Sequence, residues 1–339
     1  MKSRTEKARE HIMKNKWVKR LLLASAAGLL AGGICVGAGT AMGGSPMFYV
    51  NAQGIHVKED QKPEDSADYR LEATETGALQ NIHIDMAEAD IRLVSGERFA
   101  AEYVLNGQRL APGYSVSGGT LTITESSSWK SGANFHFWGG MWESEEGSVS
   151  PYVQITVPKN AVLSDVELSN KYGDIRIDTK LNAKNLTVRA ENGEVRMEDW
   201  NGGSFELEMT YGEFRGGSLS GKNVDIQSES GGVSLGGLKA DAAEVEMEYG
   251  ELEATLEKPC RLNIQNGNGN ILLLLNGSEK EYSLNLYTEY GIISTPRKTV
   301  EPYEDEGDSG AEYIRTGSGK AEIYADAEYG DITVRELKK

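Results

Sequence analysis

From Asp165 onward, apolar and polar residues alternate in short runs, and each pair of runs is broken by a glycine. The unit appears as VELSNKYGDIRI, LTVRAENGEVRM, FELEMTYGEFRG, VDIQSESGGVSL, VEMEYGELEATL, LNIQNGNGNILL, LNLYTEYGIIST and IYADAEYGDITV. Alternation with a period of two predicts strands, with Val166 and Leu168, Ile175 and Ile177, Leu186 and Val188, and Val195 and Met197 facing inward. The repeat glycines are Gly173, Gly193, Gly212, Gly231, Gly250, Gly269, Gly291 and Gly330, spaced by 20, 19, 19, 19, 19, 22 and 39 residues. Near-constant spacing of this kind predicts a solenoid. A rung of ~19 residues cannot close a core alone, so it stacks on its neighbours through parallel backbone pairing at ~4.8 Å per rung. Eight rungs make a column of ~40 Å. The glycine supplies a corner conformation that a side chain obstructs.

The expected fold is therefore all-β: a right-handed parallel β-helix, or β-solenoid, since parallel crossovers are nearly always right-handed. A competing reading takes Asn192-Gly193 and Asn268-Gly269 as hairpin turns of an antiparallel meander; the constant period favours the solenoid. The wide last gap, Thr295 to Gly319, holds Pro296, Pro302 and the acidic run EDEGD, and reads as a loop inserted into a rung.

Residues 69–160 read as an irregular β section opening the same body. Ala89-Asp90-Ile91-Arg92-Leu93 echoes Gly173-Asp174-Ile175-Arg176-Ile177, and Val153 to Val157 alternates. The segment VQITVPKNAVLSDVELSNKYGDIRI, the repeated Gly-acid-apolar units and the closing IYADAEYGDITV together resemble the "putative adhesin" domain-of-unknown-function family of Gram-positive bacteria, which includes LiaG-like envelope proteins. The resemblance spans about residues 80–336. It implies a β-helix-like fold and a membrane anchor.

Charge changes the picture at the amino terminus. Residues 1–20 carry eight basic side chains against Glu6 and Glu10, whereas the whole chain of 339 residues has a formal charge of −17. Residues 21–42 are uncharged, LLLASAAGLLAGGICVGAGTAM, long enough at ~1.5 Å per residue to cross ~30 Å of hydrocarbon. The expected organisation is a basic cytoplasmic tail (1–20), a transmembrane anchor (21–43), a polar linker (44–68), the irregular section with an aromatic insertion (69–160, insertion 126–148), and the repeats with their acidic loop (161–339, loop 295–319). Basic flanks stay cytoplasmic, which puts the carboxyl-terminal domain outside the cell membrane. A signal peptide cleaved near Gly39-Thr40-Ala41 is the alternative, giving a secreted domain. Cys260 is the one cysteine beyond this segment, so that domain has no intrachain disulfide and depends on burial and backbone pairing. An acidic chain is a poor binder of nucleic acid.

Two groups of residues carry candidate binding chemistry. The position before the glycine runs Tyr172, Asn192, Tyr211, Ser230, Tyr249, Asn268, Tyr290 and Tyr329. For seven rungs large and small alternate, so the rings recur about every 9.6 Å. Such a ladder, with Tyr172, Tyr211 and Tyr249 as its regular members, either packs into the fold or presents rings to a sugar or a partner. The insertion holds Trp129, Phe135, Phe137, Trp138 and Trp142, which fit a binding loop or a cap over an open solenoid end.

Asp174, Glu194, Glu213, Glu251 and Asp331 follow the glycines, but no stretch matches an EF-hand loop or the calcium-binding nonapeptide repeat. A solvated acidic face is the plainer reading, and no metal or cofactor is expected. The four histidines are scattered, and Gly307-Asp308-Ser309-Gly310 lacks triad partners. The sequence therefore points to a non-catalytic binding, adhesion or envelope-scaffold module with cell-wall glycan, host glycan or an envelope protein as partner. A component of envelope-stress signalling and a polysaccharide-acting β-helix enzyme are the alternatives.

Overall fold

The computed structural model describes residues 48–51, 54–57, 68–107, 109–128, 150–305, 308–319 and 321–337. The expected tail and anchor (1–43), and Trp129, Phe135, Phe137, Trp138 and Trp142, lie outside these residues. Among the described residues no helix is long and apolar enough to cross a membrane. Strands Phe48–Asn51 and Gly54–Val57 form an antiparallel hairpin, which belongs to a different compact unit from the body containing residues 65–128 and 149–339.

That body is an all-β solenoid. Each rung contributes one strand on either side of its corner: Leu163–Tyr172 and Ile175–Asp178, Leu181–Asn192 and Val195–Met197, Trp200–Tyr211 and Phe214–Ser220, then Asn223–Ser230 and Val233–Leu238. Ala242–Tyr249 with Leu252–Leu256, and Arg261–Asn268 with Ile271–Leu275, continue the series. All first strands pair in parallel with the first strands of the rungs beside them, and all second strands do likewise. Parallel pairing excludes hairpins at Asn192-Gly193 and Asn268-Gly269.

Register brings equivalent apolar residues into continuous buried columns. One runs Leu168, Val188, Leu207, Ile226, Val245 and Ile264; the other runs Ile175, Val195, Phe214, Val233, Leu252 and Ile271. Trp200 is buried, donates its indole N–H to the Ala183 carbonyl at 3.1 Å, and packs against Phe205, itself stacked on Phe214.

The echo of the repeat at Ala89–Leu93 is a rung in its own right. Ile91, Arg92 and Leu93 stand in register with Ile175, Arg176 and Ile177, and Ile84 pairs with Leu168.

The ends depart from chain order. Asn81–Met86 and Asp90–Gly96 lie between the rung of Leu163–Asp178 and an outer rung made by Thr120–Thr124 and Tyr152–Pro158. At the opposite end, Ala321–Tyr329 and Ile332–Glu336 insert between Arg261–Leu275 and the outer rung of Tyr282–Thr288 and Ile293–Ser294. Among the described residues the column thus has ten rungs rather than the eight that the glycines count, and at each end the outermost rung precedes or follows its neighbour out of turn.

Antiparallel strands close both ends. Gly113–Ser117 covers Thr120–Thr124, while Ala100–Leu105 covers Tyr152–Pro158 and is flanked in turn by Tyr69–Glu75. Residues 295–319, expected as a plain loop within a rung, instead form the other cap. Thr299–Val300 pairs with Ile293–Ser294, and Asp308–Arg315 pairs along Tyr282–Thr288. Sequence spacing hid this because the segment pairs antiparallel and carries no glycine corner. Exposed edges invite pairing with other chains, and these short antiparallel strands occupy them. The cap is fastened by Glu279, which is 1% exposed, accepts a hydrogen bond from the Tyr313 hydroxyl at 2.7 Å and faces the Arg315 guanidinium at 3.3 Å.

Candidate functional site

The corner glycines hold φ between +127° and +156° at Gly173, Gly193, Gly212, Gly231, Gly250, Gly269 and Gly330. That conformation turns the chain sharply and frees the preceding residue to project from the edge. Buried polar side chains brace the turn from inside: Asn266 donates to the carbonyls of Gly250 and Gly269 at 3.0 Å each, and the Thr288 hydroxyl donates to that of Gly330 at 2.8 Å.

Because the rungs stack in register, the residues before the glycines align along one edge. In spatial order they are Tyr172, Asn192, Tyr211, Ser230, Tyr249, Asn268, Tyr329 and Tyr290. Chain order places Tyr290 seventh, but the exchange of the last two rungs makes Tyr329 the seventh. Tyr329 and Tyr290 then stack at the end of the row, with ring centroids 4.8 Å apart and 12° between planes. The rings stand in solvent: Tyr172, Tyr211 and Tyr249 are 57%, 56% and 56% exposed. Side chains with more than half of their surface open contribute little to a core.

The carboxylates that follow the glycines have a structural use. Asp90 Oδ1 accepts the Asp174 backbone N–H at 3.1 Å, and Asp174 Oδ1 accepts that of Glu194 at 3.0 Å. At the far end Asn270 Oδ1 accepts from Asp331 N–H, and Asp331 Oδ1 from Ile292 N–H. Arg92 and Arg176 fold back onto Asp90 and Asp174, and Arg215 bridges Glu194 and Glu213. Among the described residues no group of three or more His, Cys, Asp or Glu side chains converges to hold a metal. Burial pushes the Cys260 thiol up to about 11, against a weaker opposing pull from Lys258, so at neutral pH it is an inert core group and not a nucleophile.

Beside the tyrosine row, on the first-strand face, an open groove of about 820 Å³ crosses the rungs from Ser169 to Glu328. Arg189 at its near end is held by Glu167 and Glu208 at 2.7 and 3.0 Å. Farther along, Glu229, Glu246, Glu248 and Glu328 line it, exposed and, among the described residues, with no ion pair or hydrogen bond from their carboxylates. Sequence reading places Glu248 and Glu328 beside the tyrosines but passes over Glu229 and Glu246. The available signal is strand alternation: Glu246 and Glu248 flank the inward Met247 and must share one outward face.

Ten stacked rungs, eight of them with a glycine corner, capped at both ends, define a β-solenoid whose distinctive surface is an aromatic edge. The Toastrack DUF4097 family matches residues 79–335, and the chain belongs to it. No curated protein matches the chain. Solved structures similar to it include a putative adhesin from Bacteroides fragilis NCTC 9343, with 13% identity, 79% of this chain and 95% of that one covered, and a TM-score of 0.45. A putative adhesin from Parabacteroides distasonis ATCC 8503 gives 11%, 80%, 98% and 0.45 in the same terms, and one from Parabacteroides merdae ATCC 43184 gives 12%, 81%, 97% and 0.43.

Proposed function

We propose that this protein is a non-catalytic binding module of the bacterial cell envelope, anchored by residues 21–43 with its amino terminus cytoplasmic and its right-handed solenoid outside. The observation that carries the reading is the exposed tyrosine row. Five aromatic rings aligned along one edge of the column, four of them more than half open to solvent, present a linear aromatic surface. Aromatic surfaces left open in this way mark contacts with ligands or partners. The anchor rests on the uncharged run and its basic flank. Cell-wall or host glycan, or an envelope protein, is the expected partner class, with the insertion bearing Trp138 and Trp142 as a second contact.

Co-sedimentation of the full-length chain with cell-wall sacculi and insoluble glycans tests this. Retention of the native chain, with loss in a Tyr211→Ser/Tyr249→Ser variant of unchanged melting temperature, is the expected result. A parallel Trp138→Ala/Trp142→Ala variant reports on the insertion. Retention by neither the native chain nor the variants overturns the binding reading for these materials and turns the search to envelope proteins.

A further inference from the structure

The groove beside the tyrosine row limits the chemistry of what binds there. Glu229 and Glu248 occupy equivalent places in neighbouring rungs, ~4.8 Å apart along the column. Glu246 shares the outward face with Glu248, and Glu328 lies two rungs beyond Glu248. Two other sets of acids in neighbouring rungs hold an arginine: Glu167, Glu206 and Glu208 surround Arg189, and Glu194 and Glu213 hold Arg215. Like charges stacked without a counter-ion destabilise a sheet. Arg189, the cation of the groove lining, is already held by Glu167 and Glu208, so the groove beyond it carries negative charge in excess.

We infer that the tyrosine edge and its acidic groove bind an extended, arginine- and lysine-rich polypeptide segment; the inference rests on the binding reading above and names the ligand class. Guanidinium is the group that uses both halves of the surface. It stacks on a tyrosine face through the ring quadrupole and forms paired hydrogen bonds with a carboxylate. An anionic polymer is repelled by the unpaired carboxylates, and a neutral one leaves them without a partner. The row from Tyr172 to Tyr290 spans seven rung steps, roughly 34 Å, which an extended chain of about ten residues covers.

The test is fluorescence anisotropy of labelled nona-arginine with the full-length chain at physiological ionic strength. Tyr211→Ser/Tyr249→Ser leaves the charge unchanged, and Glu229→Gln/Glu246→Gln/Glu248→Gln removes charge from the groove. Glu72→Gln/Glu97→Gln/Glu322→Gln removes the same charge at exposed positions away from it. The expected result is binding weakened about tenfold or more by each of the first two variants and little by the third. The groove variant is also expected to melt higher than the control, because neighbouring like charges are relieved. Equal weakening by groove and control variants, or no effect of the tyrosines, reduces the attraction to net charge and overturns the proposal. If neutral glycan is retained through Tyr211 and Tyr249 while nona-arginine ignores them, the binding reading survives and the cationic-peptide proposal falls. Loss of both overturns both.

Discussion

At Gly212 a Cβ would stand 2.0 Å from the carbonyl oxygen of Gly193, and φ there is +133°. Any side chain is thus excluded twice, by backbone conformation and by the rung beneath. Gly212→Ala is expected to cost at least about 2–3 kcal/mol in denaturant unfolding. Gly232, one residue beyond the next corner, meets only the Glu251 carbonyl oxygen at 3.6 Å and has ordinary φ. Gly232→Ala is expected to stay within about 1 kcal/mol. These corners were legible in the sequence because the requirement recurs with the rung. Trp200 was not, since a single large core residue breaks no period. Cys260 gives a second prediction at this scale. Its folded pKa is about 11 against 9.0 for the free thiol, so burial favours the neutral form. The corresponding stability is present below pH ~9 and is lost as pH rises through ~11. Peptide-mapped alkylation of Cys260 at pH 8 is expected to proceed no faster than opening of the fold; rapid alkylation of the native chain would contradict its burial.

At the scale of elements, stability is shared between adjacent rungs. Residues 223–241 make one complete repeat, and Asn223 is in register with Ala242. Removing these 19 residues joins Lys222 to the start of the next equivalent rung and brings Phe205 beside Ala243 and Phe214 beside Leu252. The shortened chain is expected to keep the far-UV circular dichroism per residue of the native protein and to melt lower. Removing residues 223–232 alone, which puts the next strands out of phase, is expected to abolish cooperative unfolding. If both deletions behave alike, rung register is not the organising unit. The sequence revealed the period but not the exchanged order at the two ends. Strand patterns show which face is apolar; they do not specify which neighbour a strand meets when two rungs offer equivalent columns. The acidic groove was partly legible: Glu248 and Glu328 sit beside repeat tyrosines and strand alternation puts Glu246 on the face of Glu248, whereas Glu229 becomes their neighbour only through stacking.

For the whole molecule, the caps separate a soluble column from a self-templating edge. Replacing residues 295–319 with a short Gly/Ser linker removes the strands over Tyr282–Thr288 and Ile293–Ser294 and strips Glu279 of Tyr313 and Arg315. Size-exclusion chromatography is expected to show concentration-dependent association of that variant but not of the native chain. The fold is maintained by its columns and corners, and Tyr211 and Tyr249 on the exposed edge are available to a ligand. Thermal unfolding of Tyr211→Ser/Tyr249→Ser tests this most directly. A melting temperature within about 2 °C of the native value is predicted, as for exposed side chains outside the core. A drop of ten degrees or more would show that the rings support the solenoid and would contradict the account.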